Sequence, residues 1–200
     1  MDAGGYVTEE SPLSPLSLYA ELKVEFEKHL LGARTRSDFV PTALRFSTVY
    51  GLSPRMRFDL TVNEFVRDLI LGRELSVFGE QFWRTYCHVE DLARAVALTL
   101  ESLPALVRQN VFNVGETAEN YTKRMILDAV FRLFPDLDPG RVRRVQQIDD
   151  PRDYRVAFTK IRESLGYTIT KRLDDGIREI AMALRTGIIA EPDAARYRNI

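Results

Sequence analysis

Tyr19 and Lys23 stand four residues apart in Ser17-Leu-Tyr-Ala-Glu-Leu-Lys23. A pair at that spacing lies on one face of a helix. An ammonium beside a phenol favours the phenolate, so the phenol releases its proton more readily. A tyrosine activated in this way can act as a general acid/base near neutral pH. That is the proton chemistry needed at a hydroxyl whose carbon gives up a hydride. A motif this short carries weight only with its context. Tyr167 and Lys171 repeat the spacing, but they follow Gly166 and enclose Thr-Ile-Thr, which favours extended backbone. The first pair instead follows Ser14-Pro15, an N-cap with Pro at the first helical position, and continues through Leu22, Phe26 and Leu30 at helical spacing.

The elements around the pair alternate. Residues 1–14 read as a loop rich in Gly, Ser and Pro, followed by a helix over about 15–31 that ends near Gly32. Residues 42–49 read as one buried strand stopping at Tyr50-Gly51, and 52–58 as a polar loop. A helix over about 60–71 stops at Gly72. Short strands are expected at Leu75–Phe78 and Thr85–Val89, then a helix opened by Glu90 or Asp91, then a strand over 111–114. Thr117 or Glu119 is expected to start another helix, residues 135–140 a turn and 141–147 a strand. Thr159 caps a helix that stops at Gly166, and a last amphipathic helix runs over 173–186 to Gly187, before an aperiodic tail over 188–200. Strands alternating with helices predict an α/β protein with parallel pairing.

Composition bounds the rest. Hydrophobic residues make up 45% and charged residues 28%, a globular balance. A net charge of −1 gives no global pull toward nucleic acid or anionic membrane. Cys87 is the only cysteine, so no intrachain disulfide can form, which fits a reducing compartment. The first ten residues have no basic or apolar leader pattern, and no apolar run is long enough to cross a bilayer. A soluble cytoplasmic protein is expected. Two histidines and one cysteine give no metal-ligand spacing, so no metal is expected. His88 reads as a packing residue and His29 as a surface residue. Arg141, Arg143 and Arg144 alternate with valine as a strand with one solvated face rather than a nucleic-acid patch.

Six segments in order resemble the C-terminal part of the extended short-chain dehydrogenase/reductases, the NAD-dependent nucleotide-sugar epimerases and dehydratases. They are Ser14-Pro-Leu-Ser-Leu-Tyr-Ala-Glu-Leu-Lys23, Leu44-Arg-Phe-Ser-Thr-Val-Tyr-Gly51, Gly72-Arg-Glu-Leu-Ser-Val-Phe-Gly79, Trp83-Arg-Thr-Tyr-Cys-His-Val-Glu-Asp-Leu-Ala93, Phe112-Asn-Val-Gly115, and Tyr154-Arg-Val-Ala-Phe-Thr-Lys160 with Leu165-Gly166 and Leu173-Asp-Asp-Gly176. The resemblance implies the C-terminal portion of a Rossmann-like parallel sheet plus a small α/β substrate-binding subdomain. Residues 1–115 would hold the sheet region, interleaved with substrate-side segments over 52–84. Residues 116–187 would be mainly the substrate-binding subdomain. The family's Gly-rich turn for the NAD pyrophosphate is absent from this sequence, as is its triad Ser/Thr. Ser11, Ser14 and Ser17 do not match the triad position. The chain therefore reads as lacking the family's first half, with Met1 not necessarily the native start.

The resemblance also assigns roles. Tyr19 is the acid/base, and Lys23 supports it while bonding the nicotinamide ribose of NAD. Ser47 and Thr48 end a strand that touches the nicotinamide and the sugar nucleotide, although many members have Asn where Thr48 stands. Arg84 pairs with the nucleotide diphosphate, for which a guanidinium fork is suited; many members follow it with Asp, here Thr85. Arg152 falls where a second diphosphate-binding Arg is common, with Arg155 its competitor. Arg57 and Asn63 bracket the start of the substrate-side helix and are candidates for nucleotide contact. The implied activity is epimerase/dehydratase-type chemistry on a nucleotide-diphosphate sugar, with transient oxidation at C4. The alternative is a non-catalytic remnant that binds a sugar nucleotide or a partner, as a homodimer or with the missing half.

Overall fold

The computed structural model describes residues 5–34, 36–148, 150 and 153–198. Its elements run β1 (Tyr6–Val7), α1 (Leu18–Gly32), β2 (Thr42–Phe46), β3 (Thr48–Tyr50), α2 (Thr61–Ile70), β4 (Leu75–Phe78), β5 (Trp83–His88) and α3 (Val89–Glu101). They continue with α4 (Pro104–Val107), β6 (Asn110–Val114), β7 (Asn120–Thr122), α5 (Lys123–Leu133), β8 (Val142–Val145), β9 (Arg155–Val156), α6 (Thr159–Leu165) and α7 (Leu173–Arg185). Mixed α/β architecture with parallel pairing is what the alternation predicts, and it is what is found.

The strand expected over 42–49 is two strands. β2 pairs in parallel with β6, from Thr42 opposite Asn110 to Phe46 opposite Val114. β3 leaves that partner and pairs in parallel with β5, from Thr48 opposite Tyr86 to Tyr50 opposite His88. Ser47 sits at the divergence. Its amide donates to the Val114 carbonyl at 3.2 Å. Its hydroxyl donates to the same carbonyl at 2.8 Å and meets the Thr85 hydroxyl at 3.0 Å. Strands that part at their carboxyl ends open a crevice, and open α/β sheets bind ligands in such crevices.

Two further expectations are corrected. Helix α1 is capped by Ser17, whose hydroxyl accepts from the Ala20 amide at 3.3 Å, and not by Ser14-Pro15. Residues 11–17 instead run along a cavity wall. The helix expected from Thr117 or Glu119 starts only at Lys123. A single 3-10 turn over Thr117–Glu119 is followed by β7, which pairs antiparallel with β5. The Asn120 side chain holds this strand, accepting from the Val156 amide and donating to the Val156 carbonyl. Thr122 then caps α5 by accepting from the Met125 amide.

Two apolar clusters flank β3 and β5. Side chains alternate along a strand, so Tyr50 and Tyr86 enter a cluster with Val66, Ile126, Ile177 and Ile180. Val49 and Cys87 enter the other, with Phe112, Val114 and Ile161. The tail joins the first cluster through Ile189 and Tyr197. Helix α1 joins neither core. None of its residues is buried, and Leu18, Leu22 and Phe26 are all exposed.

Tyr50 is 1% exposed, and its hydroxyl has no hydrogen-bond partner among the described residues. Burial pushes its pKa up, so the group stays neutral. A buried hydroxyl without a partner costs more than it returns. Tyr50→Phe is therefore expected to raise unfolding stability by about 1 kcal/mol in urea titration. A loss of that size would show that the hydroxyl has a partner.

Candidate functional site

The Tyr19 ring projects from the first turn of α1 and is 72% exposed. Lys23 lies one turn on, its ammonium 5.5 Å from the ring centroid. The pair thus shares a face as its spacing predicts, with the cation over the ring. The Tyr19 hydroxyl makes no hydrogen bond among the described residues. Arg57 lies in the loop before α2. Arg57 is held by Asp59 in a two-point pair at 3.0 and 2.6 Å. The Asp59 carboxylate raises the Arg57 pKa most, and Tyr19 adds to the same effect.

The Arg57 loop is fastened from below. Asn63, 2% exposed, accepts from the Gly51 amide at 3.0 Å and donates to the Arg57 carbonyl at 2.9 Å. Its amide therefore faces the loop. Glu179 of α7 accepts from the Leu52 amide at 2.9 Å and meets His88 Nε2 at 2.5 Å. The other ring nitrogen, Nδ1, accepts from the Glu90 amide at 3.3 Å and caps α3. Gly51 has φ +108°, and a Cβ there would stand 2.3 Å from His88 Nε2. Only glycine fits. His88 is thus a fully engaged structural residue, as its sequence context predicts.

The crevice at Ser47 holds a cavity of about 450 Å³, lined by residues 11–17, Ala20, Val24, Phe46, Ser47 and Thr85 among others. Tyr19, Lys23 and Arg84 are not among its lining residues. Thr48 and Tyr86 are register partners, and Arg84 lies two residues before Tyr86. Alternation puts Arg84 and Tyr86 on the opposite face of β5 from Thr85, with Thr48 beside Tyr86 on β3. On that face Tyr86 joins Val62 and Val66 of α2 in one cluster. The sequence candidates therefore divide. Ser47 belongs to the cavity, while Thr48 and Arg84 share the α2 face with the Arg57 loop.

Arg84 is engaged. It donates to the Trp83 carbonyl at 2.6 Å and to Asp150 Oδ2 at 2.6 Å. Asp153 accepts from the Trp83 amide at 2.7 Å. Arg155 stacks over Tyr6 at 4.5 Å and over Trp83 at 5.4 Å. Arg152 lies outside the described residues. Asp150, Asp153 and Glu179 escaped the sequence reading because nothing local marks them. Their partners are 66, 70 and 91 or more residues away.

The second Tyr/Lys pair is structural. Tyr167 is buried, its hydroxyl donating to the Asp91 carbonyl at 3.1 Å. Burial pushes the Cys87 thiol up to about 12, so it is no nucleophile near neutral pH. No group of His, Cys, Asp and Glu that could hold a metal occurs among the described residues, and no described helix is long and apolar enough to cross a membrane.

Comparison with known proteins decides the family. The model of the NAD dependent epimerase/dehydratase family matches residues 2–115. The chain belongs to the NAD-dependent epimerase/dehydratase family. Among curated relatives, it is 30% identical over 184 residues to the uncharacterized UDP-glucose epimerase YtcB of Bacillus subtilis, covering 88% of this chain and 55% of that one. It is 28% identical over 180 residues to a UDP-glucose 4-epimerase of Lactobacillus helveticus, covering 80% and 53%. The chain thus spans about half the length of the curated relatives it matches. Among solved structures, MoeE5 in complex with UDP-glucuronic acid and NAD aligns with TM-score 0.78 at 26% identity, covering 92% of this chain and 60% of that one. DesIV, a dTDP-glucose 4,6-dehydratase from Streptomyces venezuelae with NAD bound, aligns with TM-score 0.76 at 25% identity, covering 94% and 57%. The epimerase/dehydratase match spans α1, β2, β3 and β5, which carry Tyr19, Lys23, Thr48 and Arg84, and Ser47 between β2 and β3.

Proposed function

We propose that this chain supplies the acid/base and the sugar-nucleotide side of an NAD-dependent epimerase/dehydratase acting on a nucleotide-diphosphate sugar. The observation that carries the reading is Tyr19. It is an exposed tyrosine with Lys23 over its ring and no hydrogen bond among the described residues. Tyr19 takes the proton of a sugar hydroxyl and later returns one. Lys23 favours the phenolate that results. Arg84 takes the diphosphate, with Thr48 and the Asn63-held loop beside it, and Arg152 as a second cation on the diphosphate side. Ser47 sits at the strand divergence where such sheets receive ligands.

By family resemblance Tyr19, Lys23 and Ser47 would hold the nicotinamide end of NAD, with Ser47 lining the crevice cavity and Tyr19 and Lys23 outside that lining. The sequence contains no Gly-rich turn suited to the pyrophosphate. NAD, when bound, takes the sugar's hydride and returns it. A second reading is favoured by α1, which buries no residue and leaves its apolar side open: a non-catalytic module that binds the sugar nucleotide or a partner.

Calorimetric titration with UDP and, separately, NAD distinguishes the two. The enzymatic reading expects both to bind and UDP-glucose to be turned over. UDP binding without NAD binding supports the module. Binding of neither overturns both. Arg84→Gln is expected to weaken UDP by at least about 10-fold, the value of a charge-assisted hydrogen bond to phosphate.

A further inference from the structure

We propose that Asp150 is a positioning residue that fixes the plane of the Arg84 guanidinium for a nucleoside diphosphate. The inference rests on Arg84 being the diphosphate anchor. A guanidinium is planar and presents its N–H donors as a rigid fork, so two contacts at different nitrogens set the direction of the whole group. Arg84 has those two contacts. Nη1 meets the Trp83 carbonyl and Nη2 meets Asp150 Oδ2, each at 2.6 Å.

The carboxylate is itself fixed. Its side chain is 8% exposed, against 23% for Arg84. The Asp153 amide donates to the Asp150 carbonyl at 3.0 Å. Asp153 then grips the Trp83 amide, so the two carboxylates hold the Trp83-Arg84 dipeptide at its side chain and its backbone. Arg155 covers the Trp83 ring from the same segment. A long, flexible side chain is thereby ordered before any ligand arrives, which lowers the entropy lost on binding. Asp150 opposes the ligand's charge, so a role as competitor predicts the reverse effect and is separable by experiment.

The test is calorimetric titration of the full chain with UDP at fixed salt, for wild type, Asp150→Asn, Asp150→Glu, Arg84→Gln and the Arg84→Gln/Asp150→Asn double variant, each checked for an intact thermal transition. Positioning predicts that Asp150→Asn weakens UDP by about 10-fold, that Asp150→Glu recovers part of the loss, and that Asp150→Asn has no further effect once Arg84 is Gln. A non-zero coupling in this cycle is what a purely structural role would not produce. If Asp150→Asn binds UDP as wild type does, or more tightly, the proposal is overturned and the carboxylate is a competitor. If its loss persists on the Arg84→Gln background, Asp150 only supports the fold. If Arg84→Gln binds UDP normally, or wild type does not bind it, the anchor itself is wrong and the proposal falls with it.

Discussion

On the enzymatic reading proposed above, Tyr19→Phe is expected to lower turnover of UDP-glucose in the presence of NAD by about 10²–10⁴-fold, the range general acid/base catalysis contributes. The substitution removes one hydroxyl and keeps the ring under Lys23. Because Tyr19 is 72% exposed on a helix that buries no residue, nothing in either core depends on it. Unfolding stability should therefore change by no more than about 0.5 kcal/mol. UDP should bind as to wild type, since in the proposed reading Arg84 and not the phenol holds the diphosphate. The loss then lies in kcat with little change in KM, the mark of an interaction made in the transition state. Steady-state assays with UDP-glucose, paired with UDP titration, check both halves. Unchanged kcat would remove Tyr19 from the chemistry and leave the binding module as the better reading.

The spacing of Tyr19 and Lys23 was legible because helical geometry alone fixes which residues share a face. Helix α7 was legible for the same reason, since its buried residues Leu173, Ile177, Ile180, Ala181 and Leu184 repeat at helical spacing. The break at Ser47 was not. A single serine between Phe46 and Thr48 leaves the apolar alternation intact, and only the change of partner from β6 to β5 reveals it. The late start of α5 was hidden because Thr117, Glu119 and Thr122 are all acceptable first-turn residues. What selects Thr122 is tertiary: Asn120 bonds Val156 and holds β7 on β5. Arg84 was legible as a candidate through the family resemblance. Its partner was not, because 66 residues separate it from Asp150.

Asp91→Ala is expected to cost about 3 kcal/mol of unfolding stability, the upper part of the usual range for a single substitution. Asp91 is completely buried in the first turn of α3. One oxygen accepts from the Thr170 amide and hydroxyl, each at 2.9 Å, and from Arg94 at 2.7 Å; the other accepts from the Lys171 amide at 2.9 Å. Alanine leaves two backbone donors without their acceptor, and an unmet buried donor costs its full desolvation. Burial alone would push the Asp91 pKa up, but the Lys171 and Thr170 amides, the Thr170 hydroxyl and Arg94 together hold it below its ordinary value of 3.8. A carboxyl with a lowered folded pKa stabilises the protein above its unfolded pKa, and the contribution is lost as pH falls through the folded value. Urea unfolding between pH 7 and pH 3 should therefore show an acid-side decline in wild type that is shallower in Asp91→Asn. An equal decline in both would assign the acid sensitivity elsewhere. The consequence reaches the site, because Thr170 and Lys171 lead directly into α7, and α7 carries Glu179. Glu179 fastens Leu52 and His88 at the base of the loop that carries Arg57. Loosening Asp91 should thus weaken UDP-glucose turnover through the placement of that loop, while Tyr19 and Lys23, on a helix with no buried residue, keep their own geometry.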